Sequence, residues 1–400
     1  LKRLLFAGLL ALSCALASPA GAQTLVVDRA VLLIRHGVRP PTHEPALPVA
    51  IAPDAWPAWP VPDGNLTPHG AQAIAHLAAF DRLLFAQDGL LPATGCPDIA
   101  IHADIDERTI KTGEAFAAGF APGCNVPVGH VAAGRDPLFS ALDAPEDFDA
   151  EAAKRAMVAA AGGNPAGLVG AHPVLFQAMQ AALAPGGHAY LDVPTAIISK
   201  RPGQLPRLSG PLALGSSGAE DFLLEYLDDK PMQDVAWGRL DRAGIARLLA
   251  LHPLAYTLTA RPAYIADRGA SALADRIESA LESGPKLTVL VGHDTNQALL
   301  AGMLGLHWSL GGYPADDPPP GGGMLFLLSH DARGTPYVTL IYQVQTMDQI
   351  RNLDVLTMAN RPAMAALPIA FCGHRAAPTA CTLAGFTRMI ARTKTRVIAR

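Results

Sequence analysis

Five consecutive apolar residues, Ala30-Val31-Leu32-Leu33-Ile34, run straight into Arg35-His36-Gly37-Val38-Arg39-Pro40-Pro41-Thr42. An apolar run with no polar alternation suits a strand buried on both faces, in the middle of a sheet covered by helices. The strand then stops at an arginine, a histidine and a glycine. Gly37 permits a turn that a side chain would obstruct, and Pro40 and Pro41 stiffen the exit. One imidazole and two guanidinium groups are thereby held at the carboxyl end of a strand, the edge at which open α/β sheets bind ligands.

The chemistry of that cluster is anionic. Arginine offers a planar fork of donors matched to phosphate oxygens and stays charged at any working pH. Arg35 and Arg39 would neutralise a phosphoryl group beside His36, whose imidazole is a competent nucleophile toward phosphorus. Each residue taken singly also suits an ordinary strand end with surface arginines.

The strand-then-polar-turn arrangement recurs twice. Ile99-Ala100-Ile101-His102-Ala103 leads into Asp104-Ile105-Asp106-Glu107-Arg108-Thr109, where either aspartate can cap a following helix and Arg108 falls in its first turn. Lys286 to Val291 leads into Gly292-His293-Asp294-Thr295-Asn296, again before a helix, whose free N–H groups favour an anion. From spacing alone, a capped helix with a solvated arginine accounts for the second segment, and a His-Asp cap for the third.

The octapeptide resembles the signature R-H-G-x-R-x-P-T of the histidine acid phosphatases, branch 2 of the histidine phosphatase superfamily. The later segments resemble the D-x-D-E-R-T and His-Asp motifs of the same family. The likeness extends to the Asp-Ala-Trp-Pro loop at Asp54 and to the terminal cysteine pair, is weakest in the middle of the chain, and is nearest in wording to bacterial periplasmic acid phosphatases and phytases. It implies His36 as nucleophile, Asp294 as proton donor, and Arg35, Arg39, Thr42, Arg108 and His293 as phosphate ligands. It also implies that neither cofactor nor metal is needed, the cationic side chains taking the place of a metal. Phytase-like members commonly carry lysine after the threonine of the first motif, and here that residue is His43. Glu220 aligns with an acidic specificity residue, and Thr295 gives the third motif a phytase-like form. The expected substrate is a small phosphate ester, phytate ahead of glucose 1-phosphate and other sugar phosphates. Three other readings stay open: a broad-specificity phosphatase, a phosphotransferase or mutase of the other branch, and a non-catalytic periplasmic phosphate-ester binder.

The remainder of the chain sets compartment and architecture. Residues 1–22 read as a signal peptide: Lys2 and Arg3, an apolar run from Leu4 to Ala17, then Ala20-Gly21-Ala22 before Gln23. The run is shorter than the ~20 residues a membrane span needs. Loss of Lys2 and Arg3 takes the formal charge from -4 to -6, which gives no basic excess for nucleic acid. A periplasmic or secreted protein, monomeric and off the membrane after cleavage, is expected. Cys96, Cys124, Cys372 and Cys381 then face an oxidising compartment and allow three pairings, of which Cys96–Cys124 and Cys372–Cys381 close local loops. Without Cys-x-x-Cys or histidine-rich spacing they do not suggest a metal site. From 131 to 255 strand-like runs nearly vanish and Ala-rich helical segments take over. The expected fold is α/β: a mixed, largely parallel central sheet flanked by helices, built from 23–130 and 256–400, with 131–255 inserted as a helical cap domain. The Trp- and Pro-rich loop 54–60 is expected either as a wall of the site entrance or as plain packing.

Overall fold

The structure, a computed structural model, describes residues 25–142, 148–199, 203–369, 372 and 379–398; the signal-peptide segment 1–22 lies outside them. The strands in chain order are β1 (Val26–Arg35), β2 (Ile99–Ala103), β3 (Val128–Gly129), β4 (Ala196–Ile198), β5 (Arg207–Ser209), β6 (Leu287–Gly292), β7 (Gly323–His330), β8 (Pro336–Val344), β9 (Ala363–Leu367) and β10 (Ala380–Thr382). Eight of them form one mixed sheet in the order β10-β8-β7-β1-β6-β2-β3, with β9 paired to β8, while β4 and β5 pair separately.

β1 divides this sheet. It is parallel to β6 on one side and antiparallel to β7 on the other. The pairs β6–β2 and β2–β3 are parallel, whereas those among β7, β8, β9 and β10 are antiparallel. The parallel half is the one that carries all three motifs. Its register sets Arg35 opposite Gly292 and Ala103 opposite Val291, so three polar turns leave the sheet side by side.

Ala30 to Ile34 are all fully buried. Val31 and Leu33 enter one core with Ile265, Leu273, Leu299 and Leu300, from the helices Ala263–Ser283 and Asp294–Leu304. Ala30, Leu32 and Ile34 enter another with Ile74, Leu77, Phe116 and Phe120, from Pro68–Gln87 and Glu107–Phe120. Both faces being covered is the reason the strand has no polar alternation. Each such large side chain contributes about 1.5–3 kcal/mol by leaving water.

Between β3 and Ala263 the described elements are helices apart from β4 and β5: Ala150–Ala160, Gly167–Ala171, Pro173–Leu183, Pro211–Leu227, a 3-10 turn at Val235–Gly238, Arg242–Leu248 and Leu251–Thr259. The helix that carries Glu220 begins at Pro211, and residues 242–259 form two helices, because the second starts afresh at Leu251 with Pro253 in its first turn, where a missing N–H costs nothing. The 21-residue helix Ala263–Ser283 leads back toward the sheet, and the last helix is Leu383–Ile398.

The Trp-Pro loop is clamped to this helical region. Trp237 Nε1 donates to the Ala55 carbonyl at 2.8 Å and Lys230 Nζ to that of Ala58 at 2.8 Å. Trp56 stacks on Phe222, and Arg239 pairs with Asp54. Disulfides join Cys96 to Cys124 and Cys372 to Cys381, with Cα atoms 5.6 Å and 5.0 Å apart.

Candidate active site

The turn after β1 is pinned by backbone before any side chain acts. Arg35 N–H donates to Gly322 O and His36 N–H to Gly292 O, both at 3.0 Å. Gly37 N–H donates to Thr112 Oγ1, also at 3.0 Å. Thr67 caps the helix Pro68–Gln87, as its sequence suggests, and its N–H also holds the Val38 carbonyl at 3.0 Å. A Cβ on Gly70 would lie 2.6 Å from Val38 O, so this helix packs its first turn directly on the motif's backbone.

His36 is buried, and its Nδ1 lies 2.9 Å from the Gly37 carbonyl. A carbonyl only accepts, so Nδ1 carries the proton and Nε2 keeps its lone pair. Burial, then Arg35, Arg39, His293 and Arg108, hold the imidazole well below its ordinary pKa. It therefore stays neutral, with a lone pair to offer, in acid as well as at neutrality.

Arg35 is fully buried. Its Nη1 donates to Pro318 O at 2.7 Å, and its Nη2 meets Glu220 and lies 2.8 Å from Asp294 Oδ2. Arg39 donates Nη1 to Pro40 O at 2.8 Å. Arg108 Nη2 lies 2.6 Å from Asp106 and 3.4 Å from His293 Nδ1. Each of these three arginines keeps a buried Nε–H with no protein partner. Asp106 stands at the helix N-cap but gives it no side-chain bond, because its carboxylate is engaged by Arg108.

His293 sits edge-on to His36 with ring centres 5.5 Å apart, and its Nε2 is bound to Asp104 Oδ2 at 2.8 Å. Asp104, Asp106 and His293 bring ligand-type atoms within 4.8 Å of one another, the one such group of three among the described residues. The Arg108 guanidinium already stands between Asp106 and His293 as their cation.

Asp294 opens the helix after β6. Burial pushes its carboxyl up, but the charges of Arg35 and His252, with Arg39 further off, hold it well below the usual range. Its Oδ1 accepts from Thr295 N–H at 2.6 Å and from Thr295 Oγ1 at 3.2 Å. Glu220 is buried against Arg35 rather than on an open wall. Thr42 and His43 are exposed at the rim, Thr42 Oγ1 3.3 Å from His43 Nδ1. His43 lines a cleft of about 250 Å³ with Pro41, Trp56, Trp59 and Asp63. The Trp-Pro loop thus walls a space next to Pro41 and His43, at the exit of the first motif.

One residue of the site was invisible in the sequence. His252, at the start of the helix Leu251–Thr259, lies 2.8 Å from Asp317 and 3.9 Å from both Glu220 and Asp294. No spacing signal marks it, because its partners come from three separate stretches. His69 and His76, by contrast, bind the carbonyls of Ile350 and Asp354 and serve packing.

Known proteins place this arrangement. The family model described as "Histidine phosphatase superfamily (branch 2)" matches residues 26–166. The chain is 36% identical to phytase AppA of Escherichia coli (strain K12), over 92% of this chain and 91% of that one. It is 28% identical to a glucose-1-phosphatase of Salmonella typhimurium, over 92% of each. Among solved structures, Hafnia alvei phytase in complex with myo-inositol hexakis sulphate superposes with a TM-score of 0.86 at 32% identity, covering 94% of this chain and 98% of that one. With this extent of identity, and the strand-end cluster common to its motifs, the chain belongs to branch 2 of the histidine phosphatase superfamily.

Proposed function

We propose that the protein is an exported acid phosphomonoesterase that works through a phosphohistidine, with phytate as its leading substrate. The observation that carries this reading is the convergence of Arg35, Arg39 and Arg108, each with an unpaired buried Nε–H, around the free Nε2 of His36. Such a site has unmet donors for a tetrahedral anion and one nucleophile directed by its tautomer.

In this reading the phosphoryl group lies among the three arginines and His293. His36 Nε2 attacks phosphorus as the P–O bond to the leaving group breaks. The arginines stabilise charge on the equatorial oxygens, the main demand of phosphoryl transfer. Asp294 gives a proton to the departing alkoxide. Water then attacks the phosphohistidine, Asp294 takes the proton of that water, and His36 is restored. Against Arg35, Asp294 favours its ionised form. A monoanionic ester brings a proton with it and claims the guanidinium, both of which load the acid. Activity therefore favours low pH.

Phytate is favoured over a sugar phosphate by the extent of likeness to named phytases. The glucose-1-phosphatase relative supports sugar-phosphate hydrolysis as the second reading. Export is supported by the leader-like residues 1–22 and by two disulfides. No helix among the described residues is long and apolar enough to cross a membrane.

The test is rapid quench with labelled substrate. Acid-labile, base-stable protein phosphate is expected in the wild type and absent in His36→Ala, with turnover lost by at least about 10³-fold. A variant that keeps a tenth of the rate would remove phosphohistidine chemistry from this position. A panel of phytate, glucose 1-phosphate and aryl phosphates ranks the substrates.

A further inference from the structure

His252 has no part in the reaction so far, yet it is buried within 3.9 Å of the proton donor. Four elements face it: Glu220 from Pro211–Leu227, Asp294 from Asp294–Leu304, Asp317 from the loop before β7, and Tyr256 from its own helix. Arg35 lies behind Glu220 and Asp294 and contacts both. Asp317, itself buried, holds His252 Nδ1 at 2.8 Å, and its other oxygen has no partner.

This geometry assigns the imidazole its protons. Nδ1 donates to Asp317, which leaves Nε2 directed at Asp294 Oδ2, 3.9 Å away. A neutral ring would turn a lone pair toward that carboxylate. A protonated ring turns an N–H toward it, and three carboxylates surround it with Arg35 as the other nearby cation. Burial works against the charge, but Glu220, Asp317 and Asp294 together raise the imidazole above its ordinary pKa.

We propose that His252 is a positioning residue for the proton donor: anchored by Asp317, it presents to Asp294 a second cation that remains when substrate phosphate has claimed Arg35. It thereby sets the pH range over which Asp294 holds its proton in the substrate complex. The inference rests on the reading of Asp294 as the donor. Bound phosphate engages the arginines and adds negative charge, so Asp294 becomes a weaker acid just when it must release its proton. A cation on the far side, out of reach of phosphate, offsets that effect.

The test is the pH dependence of kcat, which reports groups in the substrate complex, for an alkyl phosphate and for p-nitrophenyl phosphate. His252→Gln keeps a donor for Asp317 and removes the charge. Its basic limb for the alkyl ester is expected to move up by about one pH unit, as loss of one cation near a carboxyl implies. With p-nitrophenolate as leaving group, which needs little protonation, the limb stays in place. Asp317→Asn leaves His252 present but removes its anchor, and is expected to move the alkyl limb in the same direction. Melting curves establish that both variants fold; if His252→Gln does not, Asp317→Asn decides. Limbs that stay fixed, or that move alike for both esters, overturn the proposal. Asp294→Asn separates its failure from that of the underlying reading. Equal loss on both esters there removes Asp294 as donor, and this proposal with it; selective alkyl loss there, with unmoved limbs in the other variants, removes the role of His252 alone.

Discussion

Arg35 Nη2 lies 2.8 Å from Asp294 Oδ2, so the guanidinium that would grip phosphate is also the counter-ion of the carboxyl that would protonate the leaving group. One contact thus couples binding to acid loading. An incoming phosphoryl group competes with Asp294 for Arg35, and the carboxylate set free beside an anion takes up a proton more readily. Glu220, on the same Nη2, keeps Arg35 oriented while this exchange takes place.

Asp294→Asn should therefore separate substrates by leaving group. Alkyl phosphates are expected to lose about 10²–10⁴-fold in kcat, the usual worth of a general acid. For p-nitrophenyl phosphate the loss should stay within about tenfold. Steady-state rates at pH 5 decide it, and equal losses would make Asp294 structural.

His43 tests the order of substrates. It is exposed at the cleft beside the Trp-Pro loop. An imidazole there can donate an N–H to a further phosphate of a polyphosphorylated ring, which a small monophosphate does not carry. His43→Ala should raise KM for phytate several-fold at pH 4.5 and leave that for a small monophosphate within about twofold. If both respond alike, or phytate is not cleaved, general phosphatase activity becomes the better description.

The Cys96–Cys124 bridge ties the loop before β2 to the end of the helix Glu107–Phe120, closing a sequence separation of 28. A loop of that size restricts the unfolded chain by about 3–4 kcal/mol on the chain-entropy model. The Cys96→Ser, Cys124→Ser double variant should melt several degrees lower than wild type in calorimetry. An unchanged melting temperature would deny the bridge a stabilising role.

Asp81 supplies a stability test independent of catalysis. It is fully buried, and burial pushes its carboxyl up to about 7, against hydrogen bonds from Gln343. A folded-state value above the unfolded one favours the protonated fold. That contribution is fully present below about pH 4 and is lost as pH rises through about 7. Asp81→Asn, neutral throughout, should melt a few degrees above wild type at pH 8 and close to it at pH 4. A difference between the two proteins that does not vary with pH would contradict this.

The sequence by itself determined the chemistry of the three motifs and the buried strand that serves the first. Ala30 to Ile34 could be read because a strand covered on both faces leaves a run of uniform character, and the residues that follow are short, contiguous and of distinctive type. The local cysteine pairs could be read for a like reason: each closes one small loop. Tertiary structure decided what depends on parts of the chain distant in sequence. It set the register that puts Arg35 opposite Gly292 and Ala103 opposite Val291, split the sheet into a parallel and an antiparallel half, and turned Glu220 inward to Arg35. It also brought His252, Asp317 and Asp294 together. No local pattern records such a meeting, because a lone histidine before a proline has the same letters whether it faces water or three carboxylates. Its charge is set by what surrounds it, and the surroundings exist only once the helical region has packed against the carboxyl edge of the sheet.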